Sequence, residues 1–511
     1  MKFNASYACV RAIQPSSWLV ATVFLQQVAA AGPLDDLARS SGGTEVQVEI
    51  ATAIQTICPQ LVSSFNGISN ALAAPASPNK DITLRCNELI ATSVDLAPGT
   101  PVQARSLNYA SPDELLASLQ QVTGEEAASS GTLTARASNG QFSNIGARLG
   151  ALRMAATGAG STSPATAFNL DFSRPPLGGG ASADQATDQE EQIEGGGIDR
   201  AGFFINGNFN TGDRDASDLE DGFDFDVLSM TTGFDHRFNE GVLGVSVGYD
   251  SFESEFQPSA VVSGGEVNAD GESISLFGLK EFGNFFIDGV VTFGDLSYDV
   301  ERILRYSSEN NDPSCQCPDQ DRRLTANTNA SHYGVSFTVG GQIFAGAWLI
   351  QPSFVASSRR YEIDGYTEHD TLPNGGMELR FGDQDIDSTE SMIAVQFSRA
   401  INRSFGVLRP YLNLEWYHEF EDDQTIQQAK YAQEDVLAVT NASLGFSASI
   451  ENCLSCFQIS SEPPDTDYGV AGAGLSFVFS NFRQLLFYYE GLVGYDDLTS
   501  HAVTVNFRRQ F

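Results

Sequence analysis

The sequence has few basic residues, few histidines and no long apolar run. Its 511 residues include 28 Lys and Arg against 65 Asp and Glu, which gives a formal net charge of −37. Nucleic-acid binding needs a basic surface that displaces counterions, so this composition excludes a nucleic-acid-binding protein. No segment approaches the roughly 20 apolar residues of a membrane helix. The hydrophobic share of 41% is too high for a disordered chain. A large β-rich soluble protein and a membrane barrel with alternating strands remain.

The N-terminus has the pattern of a secretory signal peptide. Lys2 and Arg11 precede an apolar segment at residues 18–25, and the alanines at 29–31 offer a cleavage site. We therefore expect residues 1–31 to be removed during export. A buried helix is the alternative interpretation of this segment.

Export would place the remaining cysteines in an oxidising compartment, where local pairs indicate disulfides. The six candidates form the pairs Cys58 and Cys86, Cys315 and Cys317, and Cys453 and Cys456. A Cys315–Cys317 bond would close a very small ring, so cross-pairing with Cys453 or Cys456 stays open. Metal binding is the alternative for the two close pairs. No histidine lies beside these cysteines, so we expect no metal site.

Three compositional zones follow the signal. Residues 32–131 have apolar residues at helical spacing, for example from Val46 to Leu61, and predict a short helical passenger region. Residues 132–157 predict another helix, which is basic in an otherwise acidic chain. Residues 158–200 are rich in Gly, Pro and Ser, with a run of acids, and predict a disordered linker.

From residue 201 to residue 511 the period of the apolar residues changes from 3.6 to 2. Leu243, Val245 and Val247, for instance, alternate with Gly and Ser, as in a sheet with one apolar face. We predict twelve strands, at residues 201–211, 225–237, 241–254, 269–281, 284–300, 326–344, 347–363, 388–401, 405–421, 467–479, 483–496 and 499–511.

The connections between these strands alternate between tight and long. The tight ones read FNEG, FGN, AGA, INRS and SNFR. The long ones cover residues 212–224, 255–268, 301–325, 364–387 and 422–466. Short turns at one rim, long loops at the other and an even strand number are typical of an outer-membrane barrel, whereas a sandwich has no reason to sort its loops. We therefore predict a mainly β fold, a 12-stranded antiparallel transmembrane β-barrel preceded by a small α-helical region.

Residues 201–511 resemble the autotransporter β-barrel domain of Gram-negative bacteria. The segment AGFFINGNFNTGDRDASDLEDGFDFDVLSMTTGFDHRF resembles the opening hairpin of that domain, and PYLNLEWYHEF resembles its strand ending in aromatic-x-His-Glu-Phe. The last strand, TSHAVTVNFRRQF, alternates at Val503, Val505 and Phe507 and ends at Phe511, although Arg509 stands where the family usually has an aromatic residue. The resemblance implies that this strand carries the signal read by the barrel-assembly machinery.

The resemblance also implies a helix threaded through the barrel lumen, joining barrel and passenger. ASNGQFSNIGARLGALR is similar to a segment found just ahead of such barrels, so we assign residues 132–157 to this pore helix. Its basic residues, Arg136, Arg148 and Arg153, are expected to meet inward carboxylates such as Glu415 and Asp288. An ordinary periplasmic helix is the alternative.

No motif in the sequence supports catalysis. GVSVG at residues 244–248 matches the G-x-S-x-G pattern, but it lies within a predicted strand and no helix follows it. Residues 32–200 contain no His, which excludes the usual Ser-His-Asp triad there. The acids at residues 213–221 depart from calcium-loop spacing and are expected to form a solvated loop. We expect no enzyme, no catalytic residues, no cofactor and no metal.

The leading hypothesis is an outer-membrane translocator and anchor that displays or passes its short N-terminal segment. The alternatives are a channel or structural barrel with periplasmic helices, and a surface adhesin that uses its acidic loops. The expected partners are outer-membrane lipid and lipopolysaccharide, the barrel-assembly machinery and periplasmic chaperones, with the protein itself a monomer. The acids support this orientation, because residues 419–467 alone hold ten acids and one Lys. The charge would lie on the long-loop rim and leave the apolar faces for lipid.

Overall fold

The computed structural model describes residues 33–64, 77–100, 102–103, 105–125, 140–153, 201–217, 219–238, 241–259, 263–310, 319–440, 443, 445–479 and 483–510. The predicted signal peptide and linker, together with Arg136, Cys315, Cys317 and Phe511, lie outside these residues.

The N-terminal part of the chain is helical, as predicted. The described helices are α1 (Pro33–Ser40), α2 (Glu45–Ser64), α3 (Pro78–Leu96), α4 (Pro112–Thr123), α5 at residues 140–153 and, within a later loop, α6 (Gln433–Thr440). Ser77 caps α3 by accepting a hydrogen bond from the Lys80 amide, and Pro78 occupies the first turn. Gly124 ends α4 with a φ of 72°, a left-handed conformation that favours glycine. No helix among the described residues is long and apolar enough to cross a membrane.

Twelve long strands form the second half of the chain. They are β1 (Ala201–Arg214), β2 (Phe223–Phe238), β3 (Gly241–Phe256), β4 (Gly265–Phe282), β5 (Phe285–Tyr306), β6 (Gln320–Gly341), β7 (Trp348–Ile363), β8 (Gln384–Arg399), β9 (Gly406–Glu419), β10 (Asp467–Phe479), β11 (Arg483–Val493) and β12 (Leu498–Gln510).

These strands close into a single antiparallel barrel. Each strand pairs with its neighbours in the sequence, and β1 also pairs with β12, from Gly202↔Gln510 to Arg214↔Leu498. Closure leaves no open strand edge, which is the condition for a sheet to span a bilayer. The predicted 12-stranded antiparallel barrel is therefore confirmed.

The outer wall of the barrel has an apolar band with polar residues on one side of it. On β3, Leu243, Val245, Val247 and Tyr249 face outward and are exposed, Val247 by 52%, and the next acidic residue on that face is Glu253. Such a band of exposed apolar side chains matches the hydrocarbon core of a membrane. Glu253 and the outward residues that follow it on β3 lie toward the long-loop rim.

Two strands extend further beyond this band than the sequence predicts. β5 continues to Tyr306 and β6 begins at Gln320, whereas the predicted strands end at residue 300 and begin at residue 326. Leu304 and Tyr306 remain buried in this extension because they pack against the N-terminal helices. The alternation therefore continues outside the membrane, where sequence patterning alone gave no reason to expect a sheet.

The long loops also contain regular structure that the sequence prediction missed. Leu379–Phe381, Ile426–Tyr431 and Phe457–Ser460 pair as a separate three-stranded sheet. Together with α6, this sheet occupies segments that were predicted to be loops. We call α1–α4 the cap, which packs on the strand extensions and on this small sheet.

The cap shares one continuous hydrophobic core with the strand extensions and the small sheet. It combines Ile50, Ile54 and Leu119 of the helices with Leu304 of β5 and Phe381 of the small sheet, all buried. Helices and long loops therefore fold on each other at the same end of the barrel. This end is opposite to the tight turns, one of which connects Phe282 to Phe285.

Candidate functional site

Helix α5 lies inside the barrel and packs one polar face against the wall formed by β1–β3. The Gln141 side-chain amide donates hydrogen bonds to the Met230 carbonyl at 3.2 Å and to Asp250 Oδ1 at 3.1 Å. The Asn144 amide donates to the Ser229 carbonyl at 3.2 Å and to Thr231 Oγ1 at 3.0 Å. Buried polar groups are normally paired, and here the helix satisfies the barrel wall.

The strongest contact of α5 is a buried ion cluster. Arg148 is fully buried and donates from Nε to Asp235 Oδ2 at 3.2 Å, and its Nη2 contacts the same oxygen. The other oxygen of Asp235 accepts from Arg508 Nη2 at 3.3 Å. Gly202 lies under this cluster, where a Cβ would meet Arg508 at 2.8 Å. Asp235 thus joins the lumen helix to β12 across β1, over the seam that closes the barrel.

The second basic residue of α5 meets one of the two carboxylates expected from the sequence. Arg153 donates to Asp288 Oδ2 at 2.9 Å and lies over the Phe286 ring at 4.6 Å. Neither Arg148 nor Arg153 is paired with Glu415, which accepts instead from Tyr417 and Asn413. The sequence suggested Glu415 because it lies on an inward position, but α5 packs on the opposite wall.

An apolar face of α5 completes the contact with this wall. Ile145, Leu149 and Leu152 are buried against Phe204, Phe277 and other barrel residues. Phe142 is only partly buried and packs against the same cluster. The helix is therefore fixed by polar, ionic and apolar contacts to β1–β5.

The other side of α5 carries small residues and faces free space. Gly146 has no atom within 4 Å of the position of a Cβ, and Gly150 has only the end of the Arg153 side chain. A cavity of about 360 Å³ lies between this face and the wall of β7–β11. The helix lies against one wall of the lumen and leaves open space beside the other wall.

An inner apolar cluster narrows the barrel toward the long-loop rim. It is formed by inward residues of β2–β7 and β12, among them Phe223, Phe252, Leu296, Ile363 and Leu498. These side chains are almost completely buried. They separate the lumen around α5 from the cap above it.

Buried ion pairs connect the cap helices to the strand extensions and the loops. Arg322 of β6 binds Asp81 of α3 through two nitrogens, at 2.5 Å and 2.9 Å, and Asp370 at 2.8 Å. The amide of Gly376 also donates to Asp81, at 2.9 Å. All three ionic side chains are at most 1% exposed, so Arg322 holds both carboxylates away from water, and Arg85 contributes a second cation to Asp81 at 3.3 Å.

A second buried pair fixes α4. Arg302 of β5 binds both oxygens of Glu368 in a bidentate pair, at 2.7 Å and 2.5 Å, and donates to the Gln121 carbonyl of α4 at 3.1 Å. Nearby, Asn310 donates to Glu88 of α3 at 3.2 Å. Burial raises the pKa of Glu88, and the adjacent Arg85 opposes this rise. These contacts attach the helices to the rim rather than to one another.

The described cysteines form two local pairs. Cys58 of α2 and Cys86 of α3 are bonded with their Cα atoms 5.8 Å apart, and Cys453 and Cys456 are bonded with theirs 5.3 Å apart. The first bond lies between two helices of the cap and the second within a long loop, so neither links the cap covalently to the barrel. The first joins two helices that the sequence predicted to be stapled in this way.

The remaining sequence candidates have simpler environments. Val503, Val505 and Phe507 face outward from β12 and are exposed to the membrane. Ser246 of the GVSVG motif is buried in the middle of β3, without the turn that a nucleophile needs. In the acidic first loop, Glu220 pairs with Arg214 at 3.0 Å. Within the described part of the chain, no group of three or more His, Cys, Asp or Glu is arranged to hold a metal ion.

Comparison with known proteins places this architecture in a class. The family model of the autotransporter beta-domain matches residues 203–451. No curated protein matches the chain.

Among solved structures, the translocator domain of the autotransporter NalP from Neisseria meningitidis is similar, with 10% identity and a TM-score of 0.43. It covers 63% of this chain and 90% of its own. The beta domain of the Bordetella autotransporter BrkA has 15% identity and a TM-score of 0.40, covering 61% of this chain and 100% of its own.

The barrel is therefore a transport-type barrel of the outer membrane. More specifically, the chain carries an autotransporter β-domain, and the resemblance seen in the sequence is confirmed. The family is one of transport and secretion units.

Replacing Arg148 should destabilise the folded barrel strongly. Arg148→Met leaves Asp235 buried with only the longer contact to Arg508, and breaking a buried pair on one side costs about 3–5 kcal/mol. Arg305→Met is the matched control, because Arg305 is 55% exposed and its partner Asp321 is 69% exposed, so its loss should cost at most about 1 kcal/mol. Urea unfolding in detergent micelles measures the free energy of unfolding of both variants, with the different gel mobility of unheated and boiled samples marking the folded barrel. Equal losses of stability would contradict a special role for Arg148.

The cap should lose stability as the pH rises from 4 to 6. Burial of Asp221, in the loop after β1, raises its pKa to about 6 from an ordinary 3.8. The folded state therefore holds a proton that the unfolded state has lost in this range, so stability falls with rising pH and stays lower above 6. The loss amounts to roughly 3 kcal/mol at most.

The helical circular dichroism signal during urea unfolding reports on this loss, because most of the described helix lies in the cap. Asp221→Asn should flatten the dependence between pH 4 and 6, whereas the exposed Asp215→Asn should leave it unchanged. An unaltered dependence in Asp221→Asn would show that other groups cause it.

Proposed function

We propose that this protein anchors in the outer membrane, passes its N-terminal helical region through its own lumen and keeps that region on the cell surface as a fixed cap. The barrel contributes insertion and passage, and the lumen helix contributes the connection. No residue in this arrangement performs covalent chemistry.

The observation that carries the proposal is the position of successive segments along the barrel axis. α1–α4 share a core with the long loops at one rim, and α5 follows them inside the lumen. Arg153, near the end of α5, meets Asp288, close to the tight turn between β4 and β5 at the other rim. The described helices therefore run from the long-loop rim, at α1–α4, toward the tight-turn rim, at the end of α5.

The orientation follows from the two rims. In outer-membrane barrels the short turns lie in the periplasm and the longer loops face the outside. The cap would then be extracellular, which argues against the alternative of a barrel with periplasmic helices. The acidic long loops would form the outer surface together with the cap.

The arrangement also supports retention of the cap rather than its release. A passenger destined for release needs no shared core with its barrel, yet Leu304, Tyr306 and Leu324 of the barrel strands lie in the core of the cap. The buried pairs Arg322–Asp81 and Arg302–Glu368 add ionic contacts across the same boundary.

The lysines of the chain provide a direct test of the orientation. Lys80 is exposed on α3 in the cap, Lys280 lies on the outer wall near a tight turn, and Lys430 is fully buried. A membrane-impermeant amine reagent added to intact cells should modify Lys80 alone. Peptide mass spectrometry would detect the modification.

Lysed cells serve as the control, since Lys280 should become reactive only after the outer membrane is opened. A Lys80→Arg variant should show no modification on intact cells. Labelling of Lys280 with protection of Lys80 would reverse the proposed orientation and favour periplasmic helices.

A cut between the cap and α5 should not release the cap. A protease site placed within residues 126–139 would break the chain there, while the ionic and apolar contacts at the rim remain. After cleavage, the cap fragment should stay with washed membranes and leave only at high urea concentrations. Blotting both fractions measures this.

Arg322→Met should release the cap at clearly lower urea, because Asp370 would lose its arginine and Asp81 would keep only the longer contact to Arg85, at a cost of about 3 kcal/mol or more. Arg323→Met is the matched control, since Arg323 is 59% exposed and pairs only with Glu301 on the outer wall. Release of the wild-type cap by the cut alone would overturn the idea of retention.

A further inference from the structure

The open space beside α5 in the lumen has more carboxylates than cations in its wall. The cavity of about 360 Å³ beside α5 is lined, in the described part of the chain, by four carboxylates and two arginines. Arg153 pairs with Asp288 at 2.9 Å, and Arg359 pairs with Glu390 at 2.6 Å. Both cations are therefore used, which leaves Glu415 and Glu490 without a cationic partner in the cavity wall.

The two remaining carboxylates lie close to each other on the barrel wall. Glu415 is on β9 and Glu490 on β11, and the strand between them has Gly472 paired opposite Glu490 and Val470 paired opposite Glu415. Glycine presents no side chain between the two acids. Glu415 accepts from the Tyr417 hydroxyl at 2.7 Å and from the Asn413 amide, and both donors are neutral.

Stacked tyrosines flank this pair of acids on both sides. Tyr411 and Tyr488 stack with centroids 5.5 Å apart and planes at 14°, and Tyr417 and Tyr468 stack at 4.9 Å and 4°. All four rings line the cavity. Aromatic faces attract organic ammonium groups, and carboxylates attract them more strongly.

We propose that this cavity is a binding site for a small aliphatic polyamine, with one ammonium group at Glu415, another at Glu490 and the methylene chain along the tyrosine rings. Burying two ionised carboxylates without a cation is costly, and a dication would neutralise both. The volume lies within the usual range for small-molecule sites. The small-residue face of α5, with Gly146 and Gly150, leaves room for a flexible chain.

Calorimetric titration of the full-length protein in detergent with spermidine and putrescine tests the proposal. We expect saturable binding, with 1,4-butanediol, which lacks the charges of putrescine but matches its length, failing to bind. Glu415→Gln and Glu490→Gln should each weaken binding about tenfold or more, and the double variant should abolish it. Tyr411→Leu should weaken binding while leaving both acids in place.

The matched control removes two glutamate charges from the outer wall instead of from the cavity. Glu253 and Glu255 are exposed on β3, so Glu253→Gln with Glu255→Gln should bind spermidine within about twofold of wild type. The change in gel mobility on heating shows whether each variant is folded. If the double variant fails to fold, the comparison of putrescine with butanediol binding to the wild-type protein remains decisive. Absence of saturable binding to wild type, or equal loss in the outer-wall control, would overturn the proposal.

Discussion

The structure depends on closure of the barrel at the seam between β1 and β12. A strand edge cannot face hydrocarbon, because its amide and carbonyl groups would lack partners there. The two ends of the sheet meet over thirteen paired positions, from Gly202↔Gln510 to Arg214↔Leu498. Asp235 reinforces this seam from inside by contacting Arg508 of the last strand and Arg148 of the lumen helix. Closure of the wall and occupation of the lumen are therefore coupled through one carboxylate.

Closure creates a second requirement, because a twelve-stranded barrel has more interior than its own side chains fill. The protein meets it in three layers along the axis. In the first layer, α5 occupies one side of the lumen. The inner apolar cluster around Phe252 and Leu296 narrows the barrel above it, and the cap covers the rim. The layers differ in chemistry. The lumen layer is polar and ionic, whereas the upper two are mainly apolar with buried ion pairs at their edge. This order suits a chain that passes a polar pore first and folds afterwards outside.

Much of the fold could be predicted from the sequence, for a physical reason. Alternation on a strand such as β3 reports directly on which side chains face lipid, and tight turns mark one rim. Reading the sequence also identified α5 and the basic character of Arg148 and Arg153. The partner of Arg153 was found among the inward carboxylates, but that of Arg148 was not, since inward Asp and Glu residues are numerous and the sequence does not say which wall a helix approaches. The available signal was Gly202, which leaves room for Arg508 beside the buried Asp235. This signal becomes visible only once the pairing of the strands is known.

The cap was harder to predict from the sequence, because its core joins segments that are distant in the sequence. Leu304, Tyr306 and Phe381 read locally as parts of acidic loops, and only the contact with α2 and α4 makes them core residues. Burial of Asp81, Asp370 and Arg322 follows from that contact as well, although each of them taken alone is an ordinary surface residue. The net charge of −37 acquires a structural meaning here. Several of the acids that made the long loops look solvated are buried as partners of arginines, so the cap uses part of its negative charge to hold the rim. The acids that remain exposed keep the outer surface negative. The position of the scarce arginines, more than the number of acids, therefore decides which loops fold.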